Sequence, residues 1–399
     1  MEEKYFTRER KLPYTRLILI QMNMIKRSLQ KELVHYFELV GNPQPISKSA
    51  FSQRRVQFKP EAFIELNDTA VKSFYSDGDY KKWKGYRLIA VDGSVINLPR
   101  SPEITEYFGG ITNQTDKIYP AARISTSYDM LNEIIIEAQI RPYGATEYEH
   151  AIDHIKKFRE GDLCIFDRGY GAFWYFFLLK MNKIDFLVRI SRKIFPKFWD
   201  MPHKSKIITI STCPKESKER LEDLGITFKP FQVRLVKVEL DNGETEVLLT
   251  SLLDSNKYPN KLFKKLYSLR WGVERNYNHL KNHIELENFS GKSVFAIKQD
   301  FYANAFIENL RSIISMEAQE EIDELKEDAL YKYKVNKNLS IGFLKDEIIR
   351  ILLSDDPHYI DKIISLFIQE PVPIRDGRHF KRRFSRPVRR YRMNYRRAI

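Results

Sequence analysis

The chain has 399 residues, 43% of them hydrophobic and 13% aromatic, which is enough to bury a sizeable core and excludes a globally disordered protein. No apolar run approaches the ~20 residues of a membrane span, Met1-Glu2-Glu3-Lys4 lacks the basic-then-apolar shape of a signal peptide, and Cys164 and Cys213 have no partner at metal-ligand spacing. The expectation is a cytoplasmic protein without a membrane partner or structural zinc, whose net charge of +14 suits a polyanion.

The first elements are helical. From about residue 13 to 40, Leu17, Ile20, Met24, Leu29, Leu33 and Tyr36 recur near helical spacing, and Gly41-Asn42-Pro43-Gln44-Pro45 ends the run. Ser47 is placed to cap a short helix reaching about Phe58, rich in Ser, Gln and Arg, and Pro60 opens another. Two short helices across a tight break are compatible with a DNA-reading module or with a plain helical spacer. Residues 1–80 are expected to form this helical N-terminal domain.

Strands follow. Leu88-Ile89-Ala90-Val91 is a continuous apolar run, as a strand buried on both faces should be, and it is expected to end at Asp92-Gly93-Ser94. Segments 123–128 and 133–141 read as antiparallel strands around Asp129-Met130-Leu131-Asn132, the second alternating through Ile134, Ile136, Ala138 and Ile140. A helix after Gly144 carries Tyr148, Ile152, Ile155 and Phe158 on one face. A second buried run, Leu163-Cys164-Ile165-Phe166, ends in Asp167-Arg168-Gly169-Tyr170-Gly171, and an aromatic helix from Phe173 to Met181 leads to the strand 186–190. An Asp at the end of an apolar strand, with glycine close behind, sits where α/β sheets place ligands, although a turn-initiating Asp has the same look. Three strands, helix, strand, helix, strand is the order of the ribonuclease H-like fold, whose first part would occupy 81–191.

Residues 192–256 read as a β-rich insertion, with strands over 206–212, 231–240 and 246–253 and a hairpin turn at Asp241-Asn242-Gly243. The core resumes over 257–316 with a helix opened by Pro259 and a second from Phe301 to Met316. Further helices are expected over 317–370 and a basic tail over 371–399. From Arg375 to Ile399 there are eleven Lys and Arg against one acidic residue, interleaved with Phe380, Phe384, Tyr391 and Tyr395. Cations attract a polyanion and aromatic rings add stacking faces.

On a single helix, Tyr267, Arg270, Glu274 and Lys281 fall at roughly 0°, 300°, 340° and 320°, beside an apolar face formed by Leu266, Leu269, Val273, Tyr277, Leu280 and Ile284. The bland reading is an amphipathic helix with an Arg270–Glu274 pair. The spacing Tyr-x2-Arg-x3-Glu-x6-Lys, however, resembles the YREK signature of DDE transposases of the insertion-sequence-four family, and the Asp92-Gly93-Ser94 and Asp167-Arg168-Gly169-Tyr170 contexts resemble that family too.

The resemblance implies an α/β protein: a ribonuclease H-like catalytic core with a β-rich insertion, flanked by an N-terminal helical DNA-binding domain and by C-terminal helices with a basic tail. It implies catalytic and metal-binding roles for Asp92, Asp167 and Glu274, with two Mg2+ ions, Mn2+ as their substitute, and Asp92 between them. Tyr267, Arg270 and Lys281, with Arg189 and Arg168 as further candidates, would contact DNA. Lying off the apolar stripe, Arg270 and Lys281 are expected to serve substrate phosphate and not the fold. The partners implied are double-stranded DNA, at element ends and target, and a second copy of the chain in a synaptic complex. The activity implied is nicking, hairpin formation by the freed 3′-hydroxyl, and joining to target DNA. The family also places an insertion tryptophan on a flipped base; here that residue is Trp199, far in sequence from the Asp241–Gly243 turn.

Two other readings compete. A retired transposase kept for DNA binding would normally have lost a carboxylate, and all three stand here. A ribonuclease H-like nuclease without strand transfer needs neither the long insertion nor the tail. Truncation before Arg375 is expected to weaken DNA binding and flatten its salt dependence, the log–log slope falling by about 0.9 for each phosphate no longer neutralised. Binding titrations across salt concentrations check this, and an unchanged slope would remove the tail from the complex.

Overall fold

The computed structural model describes residues 11–24, 26–42, 44–114, 116–240, 243–354 and 356–375. Pro43, the turn residues Asp241 and Asn242, and tail residues 376–399 lie outside the described residues.

Four helices lead: Tyr14–Asn23 (α1), Leu29–Leu39 (α2), Lys48–Arg55 (α3) and Glu61–Phe74 (α4). The helix expected from 13 to 40 is therefore two. Between them Lys26 takes a φ of 72°, which a right-handed helix cannot contain, and the Arg27 amide bonds the Glu32 carboxylate at 2.6 Å. Ser47 does cap α3, accepting from the Ala50 amide at 3.2 Å.

The sheet begins with β1 (Arg87–Asn97), followed by α5 (Pro102–Phe108), β2 (Gly110–Thr112), β3 (Ile118–Asp129) and β4 (Ile134–Pro142). Next come α6 (Glu147–Ile155), β5 (Asp162–Phe166), α7 (Phe173–Met181) and β6 (Asp185–Ile190). Strands β4-β3-β1-β5-β6 lie side by side, the first three antiparallel and the last two parallel to β1. This is the ribonuclease H-like arrangement. The insertion contributes α8 (Pro196–Asp200), β7 (Ser205–Ile210), α9 (Lys215–Asp223), β8 (Phe231–Glu239) and β9 (Thr245–Thr250). Its strands continue the same sheet, because β9 pairs antiparallel with β6 and carries β8 and β7 outward.

The chain then forms α10 (Lys261–Ser268), α11 (Trp271–Asn282) and α12 (Val294–Leu325), a 32-residue helix. After these come β10 (Lys332–Lys334), α13 (Lys337–Leu353), α14 (His358–Gln369) and β11 (Val372–Ile374). Alternation along β1 assigns its faces. Ala90 and Ile96 join a cluster with Leu17, Phe37 and Phe63 of the leading helices, Val273 and Leu280 of α11, and Ile307, Leu344 and Phe367 beyond. Ile89 and Val91 face the other way, into Ala151, Tyr175, Phe176 and Phe186. The N-terminal and C-terminal helices thus share one buried cluster with the helix that bears Glu274.

The end of the β1–β5 ladder away from the acids is pinned by charge. Arg87 Nε and Nη2 each bond a different Asp162 oxygen at 2.7 Å, with the two side chains 4% and 0% exposed. Arg87 also lies over the Tyr75 ring at 4.5 Å, and the Tyr75 hydroxyl donates to Asp129 at 2.7 Å. Removing one partner of such a pair strands a buried charge. Asp162→Ala is therefore expected to destabilise the protein by about 3–5 kcal/mol, whereas Arg87→Met with Asp162→Leu should recover most of the loss; thermal melting of the three proteins checks both statements.

Candidate active site

The strand expected to stop at Asp92 does not stop there. Its antiparallel pairing with β3 runs on to Asn97↔Ala121, while its parallel pairing with β5 ends at Val91↔Phe166. Asp92 and Asp167 are the next residues on the two strands, so they stand side by side where the ladder opens. Asp167 leaves β5 and accepts the Gly169 amide at 2.8 Å, closing a short turn over Arg168–Tyr170. Asp92 accepts the Gly93 amide at 2.9 Å.

The third carboxylate comes from α11. The wheel treated Tyr267 to Lys281 as one helix, but α10 stops at Ser268 and α11 starts at Trp271. Across the join the bonds tighten to three residues, Arg270 N–H to Tyr267 at 3.1 Å and Gly272 N–H to Leu269 at 2.8 Å. Gly272, a weak helix former, sits at the break. The apolar face survives it: Leu266, Val273, Tyr277, Leu280 and Ile284 are buried. So does the meeting of charges. Arg270 Nη2 bonds Glu274 Oε1 at 2.7 Å, and its Nη1 lies 3.8 Å from Asp92 Oδ2.

Electrostatics follows from this crowding. Burial drives the Asp92 carboxyl up to about 6; Arg270 and the Gly93 amide oppose the shift, while Asp167 and Glu274 add to it. The donor set, three hard carboxylates whose mutual repulsion is felt at Asp92, fits divalent cations of the magnesium class. Among the described residues, no three His, Cys, Asp or Glu side chains stand close enough to share an ion as placed. The guanidinium of Arg270 is the positive charge between Asp92 and Glu274.

A second arginine, Arg189, lies near Arg270. Arg189 on β6 donates to Glu246 on β9 at 2.5 Å. Tyr267, 8% exposed, has a hydroxyl without a hydrogen-bond partner, near Arg270 and Arg189. The Nε atoms of both arginines are likewise buried and unpaired. Arg168 is exposed on the turn after Asp167, and Trp271 is 43% exposed with Arg270 over its ring at 5.4 Å.

Lys281 departs from its expectation of standing free of the fold. Its ammonium donates to Ser94 Oγ at 2.6 Å and to the Val95 carbonyl at 2.7 Å, tying α11 to β1, and burial lowers its pKa. The wheel could not show this, because the lysine's partners lie 187 and 186 residues away. Trp199 packs half-buried against the cluster under α7, its indole N–H buried without a partner.

Several residues that position the site carried no motif. The Asp92 carbonyl accepts from Tyr277 at 2.6 Å and from Ser125 at 3.1 Å. Ser125 is linked to His154 Nε2 at 2.9 Å, and His154 Nδ1 to Glu137 at 2.6 Å. Ser125 and His154 are 1% and 0% exposed, so this Ser-His-Glu chain braces the strand and offers no nucleophile. On the wheel Tyr277 counted only as apolar; its hydroxyl was the overlooked signal.

A family model described as the transposase DDE domain matches residues 83–310, more than half of the chain and the whole span that holds the three carboxylates. The chain is 20% identical over 294 residues to transposase InsG for insertion sequence element IS4 of Escherichia coli (strain K12), covering 72% of this chain and 65% of that protein. It is 27% identical over 173 residues to the putative transposase InsZ of the same organism, covering 39% and 54%. It therefore spans just under two thirds and about half of these relatives' lengths. Among solved structures, the piggyBac transposase in a synaptic complex with hairpin DNA aligns over 91% of this chain and 77% of that chain, at 12% identity and a TM-score of 0.40. By the match over its core, the chain belongs to the family of DDE-domain transposases, of the IS4 type.

Proposed function

We propose that this protein is a DNA transposase that nicks the ends of a mobile element and joins them to target DNA, with a hairpin as intermediate. The observation that carries the reading is the juxtaposition of Asp92 and Asp167 at the open end of the β1–β5 ladder, with Glu274 facing them across Arg270. Asp92, Asp167 and Glu274 would hold the divalent cations, Mg2+ or Mn2+. When bound, such ions make the attacking oxygen nucleophilic and stabilise the leaving one.

The chain's own residues supply the rest. Arg270, whose Nε has no partner, and Arg189 present guanidinium groups at the margin of the acids. A guanidinium fork matches two phosphate oxygens at once. The Tyr267 hydroxyl is a further donor with no protein partner. Arg168 is exposed one residue beyond Asp167 and can meet the backbone of the strand being cut. Among the described residues no helix is long and apolar enough to cross a membrane. Action on double-stranded DNA in the cytoplasm, as two copies in a synaptic complex, is the setting this reading requires.

Asp92→Ala, Asp167→Ala and Glu274→Ala should each abolish nicking of an element-end duplex in Mg2+ while leaving DNA binding nearly intact. Single-turnover cleavage beside a binding titration checks this, and a variant cutting at the wild-type rate would leave the site. Lys281 separates two roles. Because its ammonium is bonded to Ser94 and Val95, Lys281→Ala should cost about 1–3 kcal/mol of stability, seen as a lower melting temperature. A protein that melts normally but fails to cleave a bound end would assign the ammonium to phosphate instead.

A further inference from the structure

Near the turn that follows Asp167 lies a carboxylate that the motif does not count. Glu147 opens α6, and its helix end is held rigidly by a capping box: Thr146 Oγ1 accepts the Glu149 amide, and the Glu149 carboxylate accepts the Thr146 amide. That fixes the backbone on which Glu147 stands. A Cβ placed on Gly169 would lie 2.4 Å from Glu147 Oε2 and 3.1 Å from Asp167 Oδ1. Both carboxylates therefore reach the Gly169 position on the turn that follows β5, and a side chain there would displace the Glu147 carboxylate.

Glu147 is half-buried, and among the described residues no hydrogen bond or ion pair holds its carboxylate. A second, independent sign lies nearby. Tyr170 is 1% exposed and its hydroxyl has no hydrogen-bond partner, although a buried donor normally finds one. Tyr170 belongs to the same turn as Gly169, three residues beyond Asp167. A buried donor left open on this turn marks a place where the protein alone does not complete the hydrogen bonding.

We infer that Glu147 is a fourth carboxylate of the metal site, sharing with Asp167 the cation on that side of Asp92. This rests on the metal-dependent reading above. A magnesium-class ion takes several oxygen ligands, and Glu147 supplies one from an element, α6, that bears none of the motif acids. It also explains the glycine at 169, because any larger residue would push the carboxylate away.

The test uses the full chain without DNA and Mn2+ alone as the probe, with free Mn2+ followed by its paramagnetic resonance signal. Glu147→Gln keeps the size of the side chain and the capping box, and Asp92→Asn reports on the site as a whole. Wild type should take up Mn2+, Asp92→Asn should lose that uptake, and Glu147→Gln should bind about tenfold more weakly or worse. Without metal, Glu147→Gln should melt no lower than wild type, since it removes a repulsion, and its Mn2+-induced rise in melting temperature should shrink. Glu147→Asp, which keeps the charge, should bind more tightly than Glu147→Gln. If Asp92→Asn loses Mn2+ while Glu147→Gln matches wild type, Glu147 is only a helix-end charge; the inference falls and the metal reading stands. If Asp92→Asn also binds like wild type, both fall.

Discussion

The parallel ladder between β1 and β5, running from Arg87↔Asp162 to Val91↔Phe166, is the constraint on which the site depends. Every residue of β5 and the first five of β1 are buried. A slip of register would therefore repack both buried faces and part Arg87 from Asp162. One end is locked by the Arg87–Asp162 pair and the other opens at Asp92 and Asp167. Two acids that repel each other are held together because hydrophobic burial and a buried ion pair have already fixed the strands that carry them.

Charge balance shapes the remainder. Asp92 and Glu274 are met by Arg270, with Arg189, held by Glu246, beside it. Each arginine is bonded to one carboxylate through a terminal nitrogen and keeps its Nε unpaired. Such a surface is satisfied enough to fold, yet it keeps buried donors without partners. Local destabilisation of this kind is expected where a site is poised for a ligand that the protein alone does not contain.

The polar braces lie on the far sides of the sheet and helix. Asp92 has its backbone carbonyl held from α11 by Tyr277 and from β3 by Ser125, which leads back through His154 to Glu137. Lys281 adds a second tie between α11 and β1. The helix that delivers Glu274 is thereby anchored to the strand that delivers Asp92 by hydrogen bonds, in addition to the apolar contacts of Val273 and Leu280. Precision at the two acids comes from their supports.

Much of this was legible in the linear chain. Continuous apolar runs marked the buried strands, a terminal Asp marked each opening, and the order of strands and helices implied the ribonuclease H-like sheet, because such patterns follow from local periodicity and burial. The spacing of Tyr267, Arg270, Glu274 and Lys281 pointed to the family that the comparison of residues 83–310 shows. What only the tertiary structure decided depends on partners distant in sequence. The continuation of β1 past Asp92 is set by β3, the joining of the insertion to the sheet by the pairing of β9 with β6, and the fate of Lys281 by Ser94. The helix break at Leu269–Arg270 and the approach of Glu147 to Asp167 belong to the same class. A wheel or a strand pattern states which face a side chain takes, and long-range pairing alone states what waits on that face.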